Sequence, residues 1–204
     1  YSGTVDLSET GTGAGGTVSP SQSSAFVAGV RAGESITLTK AAASGVTITA
    51  TDHAGTGTTG VSGTFTVNPG AASKLVVSTQ PSASTVAGVA FAQQPVVTIE
   101  DAFGNTVTSG ADSTRVVTAG LTTGNGTLAG TVTKTAALGV ADFSGNDLSI
   151  DLVGANKVLT FTTTGGAITS TNTSPAFAIT FAPASQLVVS TQPSASTVAG
   201  VAFA

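Results

Sequence analysis

The chain has 204 residues, 40% hydrophobic and only 8% charged, with a net charge of −4 at pH 7. That much apolar surface suffices for one or two packed cores and excludes a disordered chain, while six scattered basic residues and a single tyrosine exclude the phosphate neutralisation and base stacking of nucleic-acid binding. With no cysteine, methionine or tryptophan, a disulfide framework, a thiolate metal site and oxidation at sulfur are excluded, which suits an extracellular or cell-surface setting, and no apolar run reaches the length of a membrane-spanning helix.

Ser, Thr and 26 glycines supply what charge does not, and this mixture favours strands and turns over helices. In chain order, period-two alternation predicts strands over 35–38, 46–50 and 63–67, then 75–79, 85–91, 95–101, 114–121, 127–135, 140–144, 148–152, 157–164 and 175–182. Leu148, Ile150 and Leu152 fall on one face, as do Leu159 with Phe161, and Phe177, Ile179 with Phe181. One core face and one wet face per strand is the pattern of packed antiparallel sheets. Turn signals at 101–105, 123–126, 144–147 and 164–166 supply positive φ or Asx hydrogen bonds about every ten residues. Short joints at 67–73 and 181–185, stiffened by Pro69 and Pro183, point to a rod.

The most informative feature is a repeat. Residues 75–92 (LVVSTQPSASTVAGVAFA) recur letter for letter at 187–204, an offset of 112 positions, which marks a piece of a tandem array. The expected organisation is 1–73, a module lacking its first strands; 74–185, a complete module; and 186–204, the first strands of a third. In diverged form 46–50 stands in the place of 158–161, and Phe65 in the place of Phe177. Two readings of the open ends remain: a window on a longer polypeptide, or a subunit whose terminal segment completes a neighbour. The paired apolar segments 75–79 and 86–91, split at Pro81, fit a first strand that crosses between sheets. The fold class is therefore all-β: tandem immunoglobulin-like β-sandwiches with Greek-key-type topology.

The segments ASKLVVSTQP (72–81), AGVAF (87–91), QPVVTIED (94–101) with Gly104-Asn105, GVADF (139–143) and LSID (148–151) resemble the bacterial immunoglobulin-like repeats of very long secreted and cell-surface proteins. YSGTV (1–5) and ITATD (48–52) resemble a sister repeat type. The resemblance implies adhesin-like or fibre-forming surface proteins with invasin-like sandwich domains, and it brings no catalytic residues with it.

No constellation for catalysis is found. His53, beside Asp52, reads as a loop histidine, because Ser and Thr are too abundant for a nearby hydroxyl to mean anything. Calcium requires six to eight converging oxygens, whereas Asp147 and Asp151 project from one strand about 13 Å apart at ~3.3 Å per residue. Glu100 and Asp101 read as an Asx turn, and Asp142 stands alone, so no metal or other cofactor is expected. Lys40, Lys74, Lys134 and Lys157 raise an internal Lys–Asn crosslink, but exposed lysines are the default. Asn125-Gly-Thr127 and Asn172-Thr-Ser174 are glycan acceptor triplets, with sugar on Ser or Thr hydroxyls the favoured decoration. The expected partners are neighbouring modules or identical subunits, end to end, docking through Leu187, Val189, Val198, Val201 and Phe203. The alternative is an adhesin module binding glycan or a host protein through its loops.

Overall fold

A computed structural model describes residues 1–13, 15–164, 168 and 172–202. Seventeen strands follow in order: β1 (Val5–Thr10), β2 (Val18–Ser19), β3 (Thr37–Leu38), β4 (Ala42–Asp52), β5 (Thr59–Val61), β6 (Phe65–Val67), β7 (Ala72–Thr79), β8 (Ser84–Val86), β9 (Val96–Asp101), β10 (Val116–Thr123), β11 (Leu128–Ala129), β12 (Thr133–Thr135), β13 (Val140–Asp142), β14 (Ser149–Ile150), β15 (Gly154–Thr163), β16 (Asn172–Thr173) and β17 (Phe177–Thr180). A single 3₁₀ turn, Ala111–Thr114, is the one helical element among the described residues. The protein is an all-β sandwich.

From residue 72 onward two sheets enclose the core. One runs β12-β10-β15-β17-β8 with β16 added to β15, and the other runs β13-β9-β7. Alternation along the strands aims Leu75, Val97 and Ile99 at Leu159, Phe161, Phe177 and Ile179, all buried. Phe91 meets Phe177 edge to face at 5.4 Å. Each such side chain contributes about 1.5–3 kcal/mol by leaving water.

The crossing between sheets falls where Pro81 predicts it. β7 is antiparallel to β9, whereas β8, a few residues later, runs parallel to β17 in the opposite sheet. The expected strand over 85–91 shortens to β8, because after Val86 the chain turns so that Gly88 and Phe91 donate to the carbonyls of Ile150 and Leu148. The expected 127–135 strand splits into β11 and β12 for a similar reason: the first pairs with β14 and the second with β10. The turn expected at 164–166 lies largely outside the described residues.

The first 67 residues form the sheet β1-β4-β5, with β6 also on β4, and the pair β2-β3. Here Val46 is the single buried hydrophobic residue among those described, and Phe65 is 38% exposed where Phe177 is 4% exposed. Pairing corrects the expected alignment by one residue. Ala42 and Val46 face Val67 and Phe65, while Gly154 and Lys157 face Ile179 and Phe177, so the bulge in β4 holds one residue more than the bulge in β15. Val46 therefore occupies the position of Lys157, Ile48 that of Leu159 and Ala50 that of Phe161.

Candidate functional site

Among the described residues, the side chains that fasten the two halves to each other by hydrogen bonds belong to the turn after β9. Asp101 is 2% exposed, and its Oδ1 accepts from the N–H groups of Phe103 and Asn105, both at 2.9 Å. This is the Asx turn expected from the sequence. Its Oδ2 accepts from Asn105 Nδ2 and from the Gly70 N–H, each at 2.8 Å. Burial pushes the Asp101 carboxyl up, but the donors from Asn105, Gly70 and Phe103 outweigh it and hold the group below the usual carboxylate range.

Asn105 completes the fastening. Its Nδ2 also donates to the Thr39 carbonyl at 2.8 Å, and its Oδ1 accepts from the Ala41 N–H at 2.9 Å. A primary amide presents a donor and an acceptor side by side, and Asn105 uses them on the Thr39 carbonyl and the Ala41 N–H, on either side of the bend at Lys40. The surrounding groove is lined by Lys40, Ala41, Val67, Pro69, Thr106 and Thr108. The sequence located the turn but not its reach, because nothing local says that the Asn side chain bonds some 65 positions away.

The docking residues expected at the chain's end are placed but not brought together. Leu187 is fully exposed, and Val189, Val198 and Val201 are also exposed; Phe203 lies outside the described residues. Their copies Leu75 and Val77 are buried in β7. The same letters take two states because β7 has β9 beside it and 187–202 has no strand partner among the described residues. Val89, the copy of Val201, is itself exposed. Two further core assignments are corrected: Leu152 is 49% and Phe181 81% exposed, since both lie just past the ends of β14 and β17, where parity no longer decides the face.

Lys157 departs from the exposed default. It is fully buried, and its Nζ donates to the backbone carbonyl and, at 2.7 Å, to Oδ1 of Asn125. Its stem crosses Gly124, whose φ is +93° and where a Cβ would lie 2.6 Å from Lys157 Cδ. No carboxylate forms an ion pair with it among the described residues.

His53 is exposed and its Nδ1 meets Asp6 Oδ1 at 2.8 Å, rather than the adjacent Asp52. Asp52 instead accepts from the hydroxyls of Thr56 and Tyr1 and the N–H groups of Ala54 and Thr56, which bring its carboxyl down to about 2 against the opposing effect of burial. The same bond from Tyr1 to Asp52 leads the causes that raise the Tyr1 hydroxyl to about 12. Among the remaining carboxylates, Glu100 meets Lys74 at 3.6 Å, Asp142 accepts from the Ser144 N–H, and Asp151 from the Thr127 N–H. No group of three His, Asp or Glu side chains among the described residues could hold a metal ion, and none of the described helical elements is long and apolar enough to cross a membrane.

No family model matches the chain, and no curated protein matches it. Among solved structures, it is similar to the D00-D0 domain of Intimin, with 15% identity, coverage of 88% of this chain and 87% of that one, and a TM-score of 0.44.

Proposed function

We propose that the chain is a structural repeat of an extended extracellular fibre or stalk, in which sandwich modules follow one another through short, fastened joints. The observation that carries this reading is the joint itself: a buried Asp–Asn pair that bonds Thr39 and Ala41 in the first half and Gly70 within the four-residue linker 68–71. A flexible spacer has no use for such a clamp, whereas a rod needs one at every junction. The verbatim repeat at 187–204 supplies the second half of the argument, because stability in such arrays is the sum of module cores and nearest-neighbour contacts. Small-angle X-ray scattering on concatenated copies of 75–186 tests it. A rod lengthens linearly with copy number; growth as roughly the square root of copy number, the behaviour of a flexible string, would sink the proposal.

A second reading concerns how separate subunits would join. β17 carries β8 on its outer edge, with Ala178 opposite Ser84, but β6, in the same place in the first half, has no such partner among the described residues. The copy of β8 at 196–198 fits that edge by parallel strand addition, Ser196 opposite Thr66. Exposed Leu187, Val189 and Val198 favour this reading. Deleting 187–204 is then expected to abolish polymers, and normal assembly of the deletion would exclude strand donation.

A further inference from the structure

We propose that the face formed by 151–153 and 181–182 is a socket for the Asp101–Asn105 turn of a second copy of the 75–185 module. The inference rests on the tandem-rod reading and goes beyond it by assigning the receiving surface. The template is the joint already present. Its receiving residues are Thr39, Lys40, Ala41, Pro69 and Gly70, and the 112-residue offset carries these onto Asp151, Leu152, Val153, Phe181 and Ala182.

The structure keeps that correspondence where it matters. β3 and β14, β4 and β15, and β6 and β17 begin at the same offset, so 151–153 bridges β14 to β15 as 39–41 bridges β3 to β4. Thr39, Lys40, Ala41 and Pro69 are partly covered, whereas Asp151, Leu152 and Phe181 are exposed. The carbonyl of Asp151 and the N–H of Val153 have no protein hydrogen-bond partner among the described residues, although their counterparts on Thr39 and Ala41 are taken by Asn105. An Asn amide would therefore find the same carbonyl and N–H, two residues apart, that it finds in the first joint. Leu152 and Phe181, the two apolar side chains that parity had assigned to the core, become the covered rim of this second joint. The occupant is a copy of this chain rather than an unrelated protein, because 187–204 already repeats most of β7 and all of β8, the opening strands of the module that carries the Asp101–Asn105 turn.

Appending residues 93–185 after Ala204 turns 187–204 into the start of a complete second copy, and hydrogen exchange read at single amides tests the contact. The Val153 amide is expected to slow about fivefold or more relative to the 204-residue chain, the factor that one net hydrogen bond supplies. Asn105→Ala in the appended copy, or Leu152→Glu on the already exposed rim, is expected to return it to the fast rate. Unchanged exchange at Val153, while the Ala41 amide still answers to Asn105→Ala in the first joint, would overturn the socket and leave the rod reading standing. Indifference of the Ala41 amide to that substitution would overturn both. Protection of Val153 that instead grows with the concentration of the unextended chain would assign the face to side-by-side contacts and likewise overturn the proposal.

Discussion

Asp101→Asn is the sharpest perturbation of the joint, because it is nearly isosteric yet removes the charge and turns one acceptor atom into a donor. The native carboxylate accepts four hydrogen bonds at 2.8–2.9 Å. An amide can keep its oxygen toward the Phe103 and Asn105 N–H groups, but its nitrogen then faces two donors, Gly70 N–H and Asn105 Nδ2. Two charge-assisted bonds at about 1.5–3 kcal/mol each are lost, and Asn105, 6% exposed, has little water to turn to. Gly70 is exposed and regains water, so the expected cost lies near the lower end, about 3 kcal/mol. The assay is urea unfolding followed by far-UV circular dichroism for the whole chain and by Tyr1 fluorescence for the first half, which holds the only tyrosine. The pH dependence supplies a second handle. The Asp101 carboxyl is lowered in the folded state, so its contribution is present above the ordinary carboxylate range and is lost as pH falls through the folded value. The native chain is thus expected to lose stability on acidification more steeply than the Asn variant. A variant within about 0.5 kcal/mol of the native chain at neutral pH, the range of an indifferent surface substitution, would refute the reasoning.

Asn105→Ala is expected to uncouple the halves, so that the Tyr1 fluorescence transition moves to lower urea than the main dichroism transition; coincident, unmoved transitions would count against the joint. Tyr1 is expected to ionise at about 12 rather than 10.0, read by tyrosinate absorbance, and Asp52→Asn is expected to bring it back toward the ordinary value. The raised hydroxyl favours folding at pH below 10 and that contribution disappears as pH rises through about 12, whereas the lowered Asp52 carboxyl favours folding above 3.8 and stops doing so as pH falls through about 2. Lys157→Met is expected to be neutral or stabilising by about 1 kcal/mol, since a buried amine is exchanged for hydrocarbon and exposed Asn125 turns to water. Gly124→Ala is expected to cost about 2 kcal/mol or more through its positive φ and the Lys157 stem, and calorimetry on the pair of variants checks both.

The sequence was legible where a strand has neighbours on both sides. Leu159, Phe161, Phe177 and Ile179 are buried as alternation requires, and Pro81 marks the change of sheet, because a residue without an N–H and with a fixed φ interrupts one ladder before the next begins. It was not legible at strand ends. Leu152 and Phe181 keep the parity of their strands but lie past the ends of β14 and β17, where no strand pairing fixes the face. Lys157 shares the parity of Leu159 and Phe161 and is buried with them, but its residue type argued for an exposed position and overrode the alternation. The repeated eighteen residues show the limit most plainly: Leu75 is 1% exposed and Leu187 100%, so strand state resides in the partner as much as in the letters. At the joint the Asx turn was readable from local chemistry, while the bonds from Asn105 to Thr39 and Ala41 depend on how two halves meet.

The central claim is a fastened joint, and a distance distribution across it tests that claim most directly. The native chain has no cysteine, so Ser8→Cys in β1 and Thr123→Cys in β10, both exposed, take spin labels without competing sites for double electron–electron resonance. A single narrow distribution that broadens on Asn105→Ala is the predicted result; a broad distribution in the otherwise native chain, unchanged by that substitution, would contradict it.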